Sequence, residues 1–166
     1  MITADIHGSI NTWLTLKALM GDNDVMVIAG DLFDTRYGRF GHPDFDPEAI
    51  RQDLSASRRP FYYVYGNCDV PSFFPGHDHT LTFAAENKKI FLHHGHHPGR
   101  IPSDAQIIIQ GHTHIWTLEK QQNRIFMNPG SITRPKKGGP TYGIIDDRSV
   151  CIMDLKTGTP VAALDI

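Results

Sequence analysis

Five short polar clusters, each placed where an apolar run ends, constrain this chain more than any other feature. They occupy residues 5–8 (DIHG), 30–31 (GD), 66–69 (GNCD), 93–96 (HHGH) and 111–114 (GHTH). Asp, Asn and His side chains are metal ligands, and a neutral imidazole also serves acid–base chemistry. One cluster of this kind means little. Five of them in step with the strands predict a metal site along one edge of a sheet.

Length and charge limit the class of protein. The 166 residues predict a single domain over residues 1–166. With 16 basic and 18 acidic residues the formal charge is −2, which leaves nucleic acid only as a substrate, not as a dedicated partner. No apolar stretch reaches the ~20 residues that span a bilayer, so no membrane partner is expected. We expect a cytoplasmic protein in which Cys68 and Cys151 are free thiols.

The first half of the chain alternates strands and helices. Apolar runs at residues 1–4, 25–29 and 61–65 are typical of strands, and the second resembles a buried parallel strand. Ser9 or Asn11 can cap a first helix. This helix is expected to carry three apolar side chains on one face, those of Ile10, Leu14 and Ala18.

Asp46 and Pro47 predict the start of a second helix that continues to about Ser57. The second half of the chain then changes to short runs separated by turn formers, which resemble a β-meander. These predicted strands cover residues 81–84, 89–93, 106–110, 115–121, 124–127, 142–145, 150–155 and 160–164. The predicted fold class is α/β: a β-sandwich flanked by α-helices on its outer faces, with a metal site at the C-terminal ends of strands.

Side-chain spacing indicates how the clusters could converge. Asp5 and His7 are two residues apart, so in an extended segment their side chains point the same way, and His112 and His114 share this spacing. The mixture of carboxylate, amide and imidazole suits manganese, iron, zinc or nickel better than calcium. The candidates are too many for one tetrahedral ion, and two ions that share a bridging carboxylate would use them all.

In this order, the motifs Asp-x-His-Gly, Gly-Asp, Gly-Asn-Cys-Asp, His-Gly-His and Gly-His-Thr-His resemble the calcineurin-like metallophosphoesterases. The later run at residues 128–136 (NPGSITRPK) is similar to their small prokaryotic phosphodiesterase branch, the YfcE type. The resemblance covers nearly the whole chain. It implies a metallophosphoesterase-type β-sandwich and a metal-dependent phosphodiesterase. In that family a metal-bridging hydroxide attacks the phosphorus of a small phosphodiester at a binuclear centre.

The resemblance also implies the ligands of two divalent metal ions, with manganese as the first expectation. The first ion would be bound by Asp5, His7, Asp31 and His114. The second would be bound by Asp31, Asn67, His94 and His112, so that Asp31 bridges the two ions. A homo-oligomer is compatible with the same resemblance.

Four residues are candidates for catalytic roles beside the metals. Asn67 is also a predicted ligand. Cys68 stands where many relatives carry a histidine that serves the leaving group, and a thiol is a poor acid for that purpose near neutral pH. His96 is the alternative acid or a substrate contact, and Asp69 is expected to orient a neighbouring histidine.

Several alternatives stay open at this stage. A non-catalytic metal-binding scaffold of the same fold, as in the Vps29-like subunit of retromer, is the competing class. Surface charge is slightly favoured over substrate steering for three cations, Arg134, Lys136 and Lys137. The long connection at residues 32–45 is interpreted as a substrate wall, a subunit contact or a mobile loop. Ordinary structural roles are expected for His42, His77, His79 and His97.

Overall fold

The computed structural model describes residues 1–37, 43–97 and 99–166. Within these residues it contains two helices, α1 (Ile10–Leu19) and α2 (Pro47–Ala56), and eleven strands. The strands are β1 (Ile2–Thr3), β2 (Met26–Ile28), β3 (Phe61–Tyr63), β4 (Thr80–Ala85), β5 (Lys88–His93), β6 (Ile107–Ile109), β7 (Thr117–Gln121), β8 (Arg124–Asn128), β9 (Thr141–Ile145), β10 (Ser149–Asp154) and β11 (Pro160–Asp165). All predicted strands and both helices are present, with ends shifted by one or two residues. None of the described helices is long and apolar enough to cross a membrane.

Two sheets form the sandwich. One has six strands in the order β11-β10-β9-β1-β2-β3, in which β1, β2 and β3 are parallel. The other has five strands in the order β4-β5-β6-β8-β7. Here β5, β6 and β8 are parallel, so the expectation of a simple meander is wrong for this sheet. The parallel pairing matters for function because it sends the carboxyl ends of β5, β6 and β8 to a single edge.

The core lies between the sheets, as the alternation along each strand requires. Side chains of β1, β2 and β10 on one sheet pack against the inward-facing residues of β5, β6 and β8 on the other. In β6, Ile107 and Ile109 point into this core, whereas Ile108 points outward. Two three-residue strands, β2 and β6, are therefore held by burial on both faces as well as by their hydrogen bonds.

Both helices lie on the outer face of the six-stranded sheet, where their apolar side chains join a second buried cluster. The outer face of the other sheet is covered by Ile101 and Ala105, which belong to no described helix. The fold class is thus confirmed, but the flanking helices occupy one face only in the described residues.

The predicted apolar face of α1 is wrong. Trp13 and Leu16 are its buried residues, whereas Leu14 is 50% exposed. Ser9 caps the helix by accepting a hydrogen bond from Thr12 N–H, and the Ser9 hydroxyl donates to Asp44. The second helix begins as predicted, with Asp46 as its N-cap and Pro47 in its first turn.

Candidate metal centre

The polar clusters meet at one edge of the sandwich because each follows the carboxyl end of a strand. Asp5 follows β1 and Asp31 follows β2, and the Asp5 N–H donates to the Gly30 carbonyl at 3.1 Å. On the other sheet His94 follows β5, and its carbonyl accepts from Gly111 N–H at 3.0 Å. Backbone hydrogen bonds thus fasten the ligand loops in pairs within each sheet.

The backbone at these loops is left-handed at residues that are not glycine. Nine such residues have a positive φ in the described parts of the chain, and six of them belong to the site. The six are Asp5, His7, Asp31, Asp34, His112 and His114. Asp and His tolerate this region better than most residues, yet each such position costs about 1–3 kcal/mol. The fold holds this strain at the edge where the clusters converge, which is typical of a functional site.

One group of lone pairs converges from Asp5, His7 and His114. The His7 Nδ1–H donates to the Asp34 carboxylate at 3.0 Å, and the His114 Nδ1–H donates to the Arg134 carbonyl at 2.9 Å. Both imidazoles therefore direct Nε2 inward, and these two nitrogens lie 3.2 Å apart. Asp5 Oδ1, buried and without a hydrogen-bond partner among the described residues, lies 3.4 Å from His114 Nε2. A cation would satisfy all three atoms.

A second group converges around His94. Its Nδ1–H donates to the Ala29 carbonyl at 2.7 Å, which leaves Nε2 to face the site. This Nε2 lies 3.2 Å from Asp31 Oδ2 and 3.1 Å from Asn67 Oδ1. Gly30 permits this approach, because a Cβ at that position would lie 2.6 Å from His94 Nδ1. The donor set is again suited to a divalent ion of intermediate hardness.

Asp31 connects the two groups. Within the described residues, three sets of ligand atoms are close enough to share an ion: Asp5 with His7 and His114, Asp5 with Asp31 and His94, and His7 with Asp31 and Cys68. Asp31 belongs to the last two sets, and Asp5 and His7 likewise belong to two sets each. The sets therefore overlap, and both donor groups fit a divalent metal.

Burial and mutual charge set the protonation of the site. Burial raises the pKa of Asp5 to about 7, although the His94 charge opposes this. Burial would also raise the pKa of Asp31, but its hydrogen bond with His94 and the His94 charge lower it to about 2. In return Asp31 outweighs the effect of burial on His94 and raises its pKa to about 8. His94 therefore holds a proton near neutral pH, and a metal ion that binds to its Nε2 must displace this proton.

His112 and Cys68 border the two donor groups. The His112 N–H donates to Asp5 Oδ2 at 3.0 Å, while its side chain is exposed and its ring centroid lies 5.1 Å from that of His94. His112 belongs to none of the three preformed sets, so its role as a ligand stays a prediction. Cys68 is buried, and its N–H donates to Asp31 Oδ1 at 2.7 Å. Burial, with Asp31 next in effect, raises the pKa of its thiol, so it is a weaker acid than a free cysteine.

Asp69 has different partners from those expected. It accepts hydrogen bonds from the backbone N–H groups of Leu32, Phe33 and Asp34 and from the Tyr63 hydroxyl. None of its contacts in the described chain is to a histidine, so the expectation that it orients one is wrong. Asp69 instead fixes the loop that follows Asp31, because its two oxygens satisfy the N–H groups that this tight turn leaves free.

The histidine-orienting carboxylate is Asp34, which the sequence reasoning missed. Its side chain is buried, and it holds the His7 imidazole through Nδ1. The signal was the second aspartate three residues after Asp31. His96, the candidate acid, lies beside the site: its ring centroid is 5.3 Å from that of His94, its Nδ1 is buried, and it does not line the described cleft.

An open cleft of about 480 Å³ lies over the donor groups. One side is formed by Asp31, Asn67 and Cys68, and the other by His114 with Arg134 and Lys136. Arg134 and Lys136 therefore border the site, and the choice between plain surface charge and substrate steering stays a prediction for both. Lys137 is exposed and does not line the described cleft.

Part of the long connection lies outside the described residues, including Arg39, Phe40 and His42. At its ends, Arg36 N–H donates to the Cys68 carbonyl, and Asp44 accepts from Asn11 N–H. The connection is thus anchored on both the site and α1. Its interpretation as a substrate wall or a subunit contact stays a prediction.

Comparison with known proteins identifies the family. The family profile described as the calcineurin-like phosphoesterase superfamily domain matches residues 1–150. The chain therefore belongs to the calcineurin-like phosphoesterase superfamily, and the resemblance drawn from its motifs is confirmed.

Individual relatives cover the whole chain. It is 27% identical over 178 residues to phosphodiesterase YfcE of Escherichia coli strain K12, an alignment that spans 100% of this chain and 97% of that protein. A solved structure of YfcE, described as a phosphoesterase from E. coli, has a TM-score of 0.83 at 26% identity, covering 100% and 98% of the two chains. Vps29 of Entamoeba histolytica, solved with Zn²⁺, has a TM-score of 0.65 at 22% identity, covering 99% and 97%, and shares the fold.

Proposed function

We propose that this protein is a metal-dependent phosphodiesterase with a binuclear centre bridged by Asp31. The observation that carries the proposal is that ligand atoms converge in two neighbouring groups. Asp5, His7 and His114 form one group, and Asp31, Asn67 and His94 form the other. Donor atoms this close together need a proton or a cation between them, and the two groups suit two cations. Manganese is the metal we propose, with iron, zinc and nickel as alternatives.

When bound, two divalent ions supply Lewis-acid polarisation of a phosphate oxygen and lower the pKa of the attacking water. The protein's own residues orient the imidazoles that would bind the ions. Ala29, Asp34 and Arg134 fix three imidazoles in the tautomer that leaves Nε2 as a ligand. The cleft then admits an ester to a site that is open on one side. Because Cys68 is a weak acid, we propose that esters with good leaving groups react best.

The direct test is turnover of bis-p-nitrophenyl phosphate by the purified protein with added Mn²⁺. Asp31→Asn should reduce kcat by at least about 1,000-fold, because it removes the shared carboxylate of both ions. Asp147→Asn is the matched control, since this aspartate is exposed and its side chain lies 4.0 Å from Arg148, far along the chain from the ligand loops. Turnover that persists after chelation, or in Asp31→Asn, would contradict the proposal.

The competing proposal is a scaffold that binds metal without turnover. Its support is the likeness to the Vps29 fold, which concerns the fold alone. The same experiment separates the two: a scaffold would bind Mn²⁺ in the wild-type protein and release no p-nitrophenol under any metal. The complete donor groups favour the enzyme.

A further inference from the structure

One wall of the cleft is cationic and is tied to the metal ligands. Arg134 and Lys136 both line the cleft from this side. Their segment is held by backbone hydrogen bonds rather than by long side chains. The Arg134 carbonyl accepts from His114 Nδ1–H at 2.9 Å, and the Lys136 N–H donates to the His114 carbonyl at 3.1 Å. The wall therefore keeps a fixed position relative to His114.

Ser131 adds a second attachment. Its hydroxyl donates to the Asp5 carbonyl at 2.8 Å and accepts from Arg134 N–H at 3.0 Å. Ser131 is fully buried, so these hydrogen bonds do not compete with water. The cationic wall is thus anchored to Asp5 and His114, which belong to the same donor group. These hydrogen bonds fix the backbone from which the Arg134 and Lys136 side chains reach the cleft.

The Lys136 ammonium is available to a ligand. It makes no hydrogen bond or ion pair with any residue in the described ranges. Lys136 lines the cleft together with His112 and His114, and its backbone N–H is bonded to the His114 carbonyl.

The balance of charges in the site indicates which kind of substrate the cationic wall would bind. Two divalent ions, the carboxylates of Asp5 and Asp31 and an attacking hydroxide leave about one net positive charge. A simple phosphodiester, which carries one negative charge, neutralises that centre and leaves the Lys136 ammonium without a counter-charge. Asp31 is the lone carboxylate among the described residues that line the cleft, so no protein group there compensates Lys136. A second anionic group on the substrate would do so.

We infer that Lys136, with Arg134 beside it, forms a second anion subsite that selects phosphodiesters bearing an additional phosphate group. This inference rests on the proposed function and names its substrate class. A phosphomonoester brings about −1.5 to −2 charges at pH 7, which complements the wall. Nucleotide diesters with a terminal phosphate belong to this class. Cyclic nucleotides and glycerophosphodiesters, which carry a single charge, do not.

The test uses two esters with the same leaving group: the p-nitrophenyl ester of thymidine 5′-monophosphate, with and without a 3′-phosphate. The wild-type protein with Mn²⁺ should prefer the phosphorylated ester by roughly tenfold in kcat/KM, as expected for one charge-assisted contact. Lys136→Gln should bring the ratio of the two values to about one. The preference should shrink with added salt, because the wall is open to solvent.

Two control variants separate charge from folding. Lys136→Arg keeps the charge and should keep the preference. Lys137→Gln removes the neighbouring exposed lysine, which does not line the described cleft, and should leave the ratio unchanged. If Lys137→Gln abolished the preference as fully as Lys136→Gln, general surface charge would explain it and the subsite would be refuted.

Binding provides a readout that does not depend on turnover. Calorimetry of the Mn²⁺-loaded protein should show thymidine 3′,5′-bisphosphate binding roughly tenfold more tightly than thymidine 5′-monophosphate, and Lys136→Gln should remove the difference. Hydrolysis of both esters at equal kcat/KM, with equal affinities, would overturn the subsite and leave the phosphodiesterase standing. If neither ester nor bis-p-nitrophenyl phosphate is hydrolysed, the proposed function is overturned, and the binding data would still decide the subsite.

Discussion

The site has a floor and a rim that differ in burial and in how they are held. The floor consists of Asp5, His7, Asp31 and His94, each no more than 4% exposed. The rim consists of side chains that reach solvent: Asn67, His112, Arg134 and Lys136. Floor residues are fixed by hydrogen bonds to the backbone and to buried carboxylates, whereas His112 and Lys136 are exposed.

This difference separates two tasks. Buried donors in fixed tautomers bind a cation with little reorganisation, so the floor determines whether metal is held. Exposed groups on one wall meet the substrate and are adjustable without loss of the metal. We therefore expect floor substitutions to change metal affinity and rim substitutions to change which ester is cleaved.

Among changes that leave every ligand in place, the largest loss of Mn²⁺ affinity is expected from Gly30→Ala in the floor. Its φ is +84°, and a Cβ would collide with the His94 ring, so Mn²⁺ affinity should fall by at least about 100-fold. Gly158→Ala is the control, because it has a similar φ of +67° with open space around it. It should lose only about 1 kcal/mol of stability and keep the metal. Calorimetric Mn²⁺ titration and thermal unfolding of both variants measure this, and normal affinity in Gly30→Ala would refute the account of the floor.

A change of pH should have the next largest effect on Mn²⁺ affinity. Ligands bind metal unprotonated, and His94 and Asp5 have pKa values of about 8 and about 7 in the metal-free site. Protons therefore compete with the ion below these values. Between about pH 6 and pH 8.5, apparent Mn²⁺ affinity should rise on the order of 80-fold at the His94 group and on the order of tenfold at the Asp5 group, with proton release on binding. Calorimetry in buffers of different ionisation enthalpy measures both. A flat profile, in protein shown by circular dichroism to stay folded, would be inconsistent with a protonated floor.

Asp34→Ala should weaken metal binding by roughly tenfold, because His7 loses the carboxylate that fixes its tautomer. Asp34→Asn keeps an oxygen acceptor at the same place and should recover part of that affinity. Mn²⁺ titration of the two variants distinguishes orientation from packing: equal losses would mean that Asp34 acts only by filling the interior.

The smallest effect on metal affinity, within about threefold, is expected from Cys68→His at the boundary of floor and rim. The change should appear in selectivity instead. An imidazole is a better acid near neutral pH than a buried thiol, so turnover of esters with poor leaving groups should rise relative to p-nitrophenyl esters. Rates across a series of phenyl esters measure the slope. An unchanged slope would show that Cys68 does not face the leaving group.

The sequence predicted those features of the fold that have a local pattern of residues. Strands and turns were predictable, since apolar runs and turn residues alternate along the chain. The candidate ligands were found because each follows a strand. The parallel order of β5, β6 and β8 was missed, because pairing between distant strands leaves no local pattern.

The support of the site was harder to predict than its ligands. His94 is held by the Ala29 carbonyl and His114 by the Arg134 carbonyl, and any residue can supply a carbonyl. The buried face of α1 was misjudged for a similar reason: Trp13 turns inward, with its indole N–H bonded to Asp53, while Leu14 faces out. Such choices depend on tertiary contacts rather than on hydrophobicity along the helix.

The most direct test of the central claim is an anomalous diffraction measurement on crystals of the protein grown with Mn²⁺. The account predicts two manganese peaks about 3.5–4 Å apart, both in contact with the Asp31 carboxylate, one near His7 and His114 and the other near His94. A single peak, or two peaks of which one does not contact Asp31, would contradict the binuclear centre.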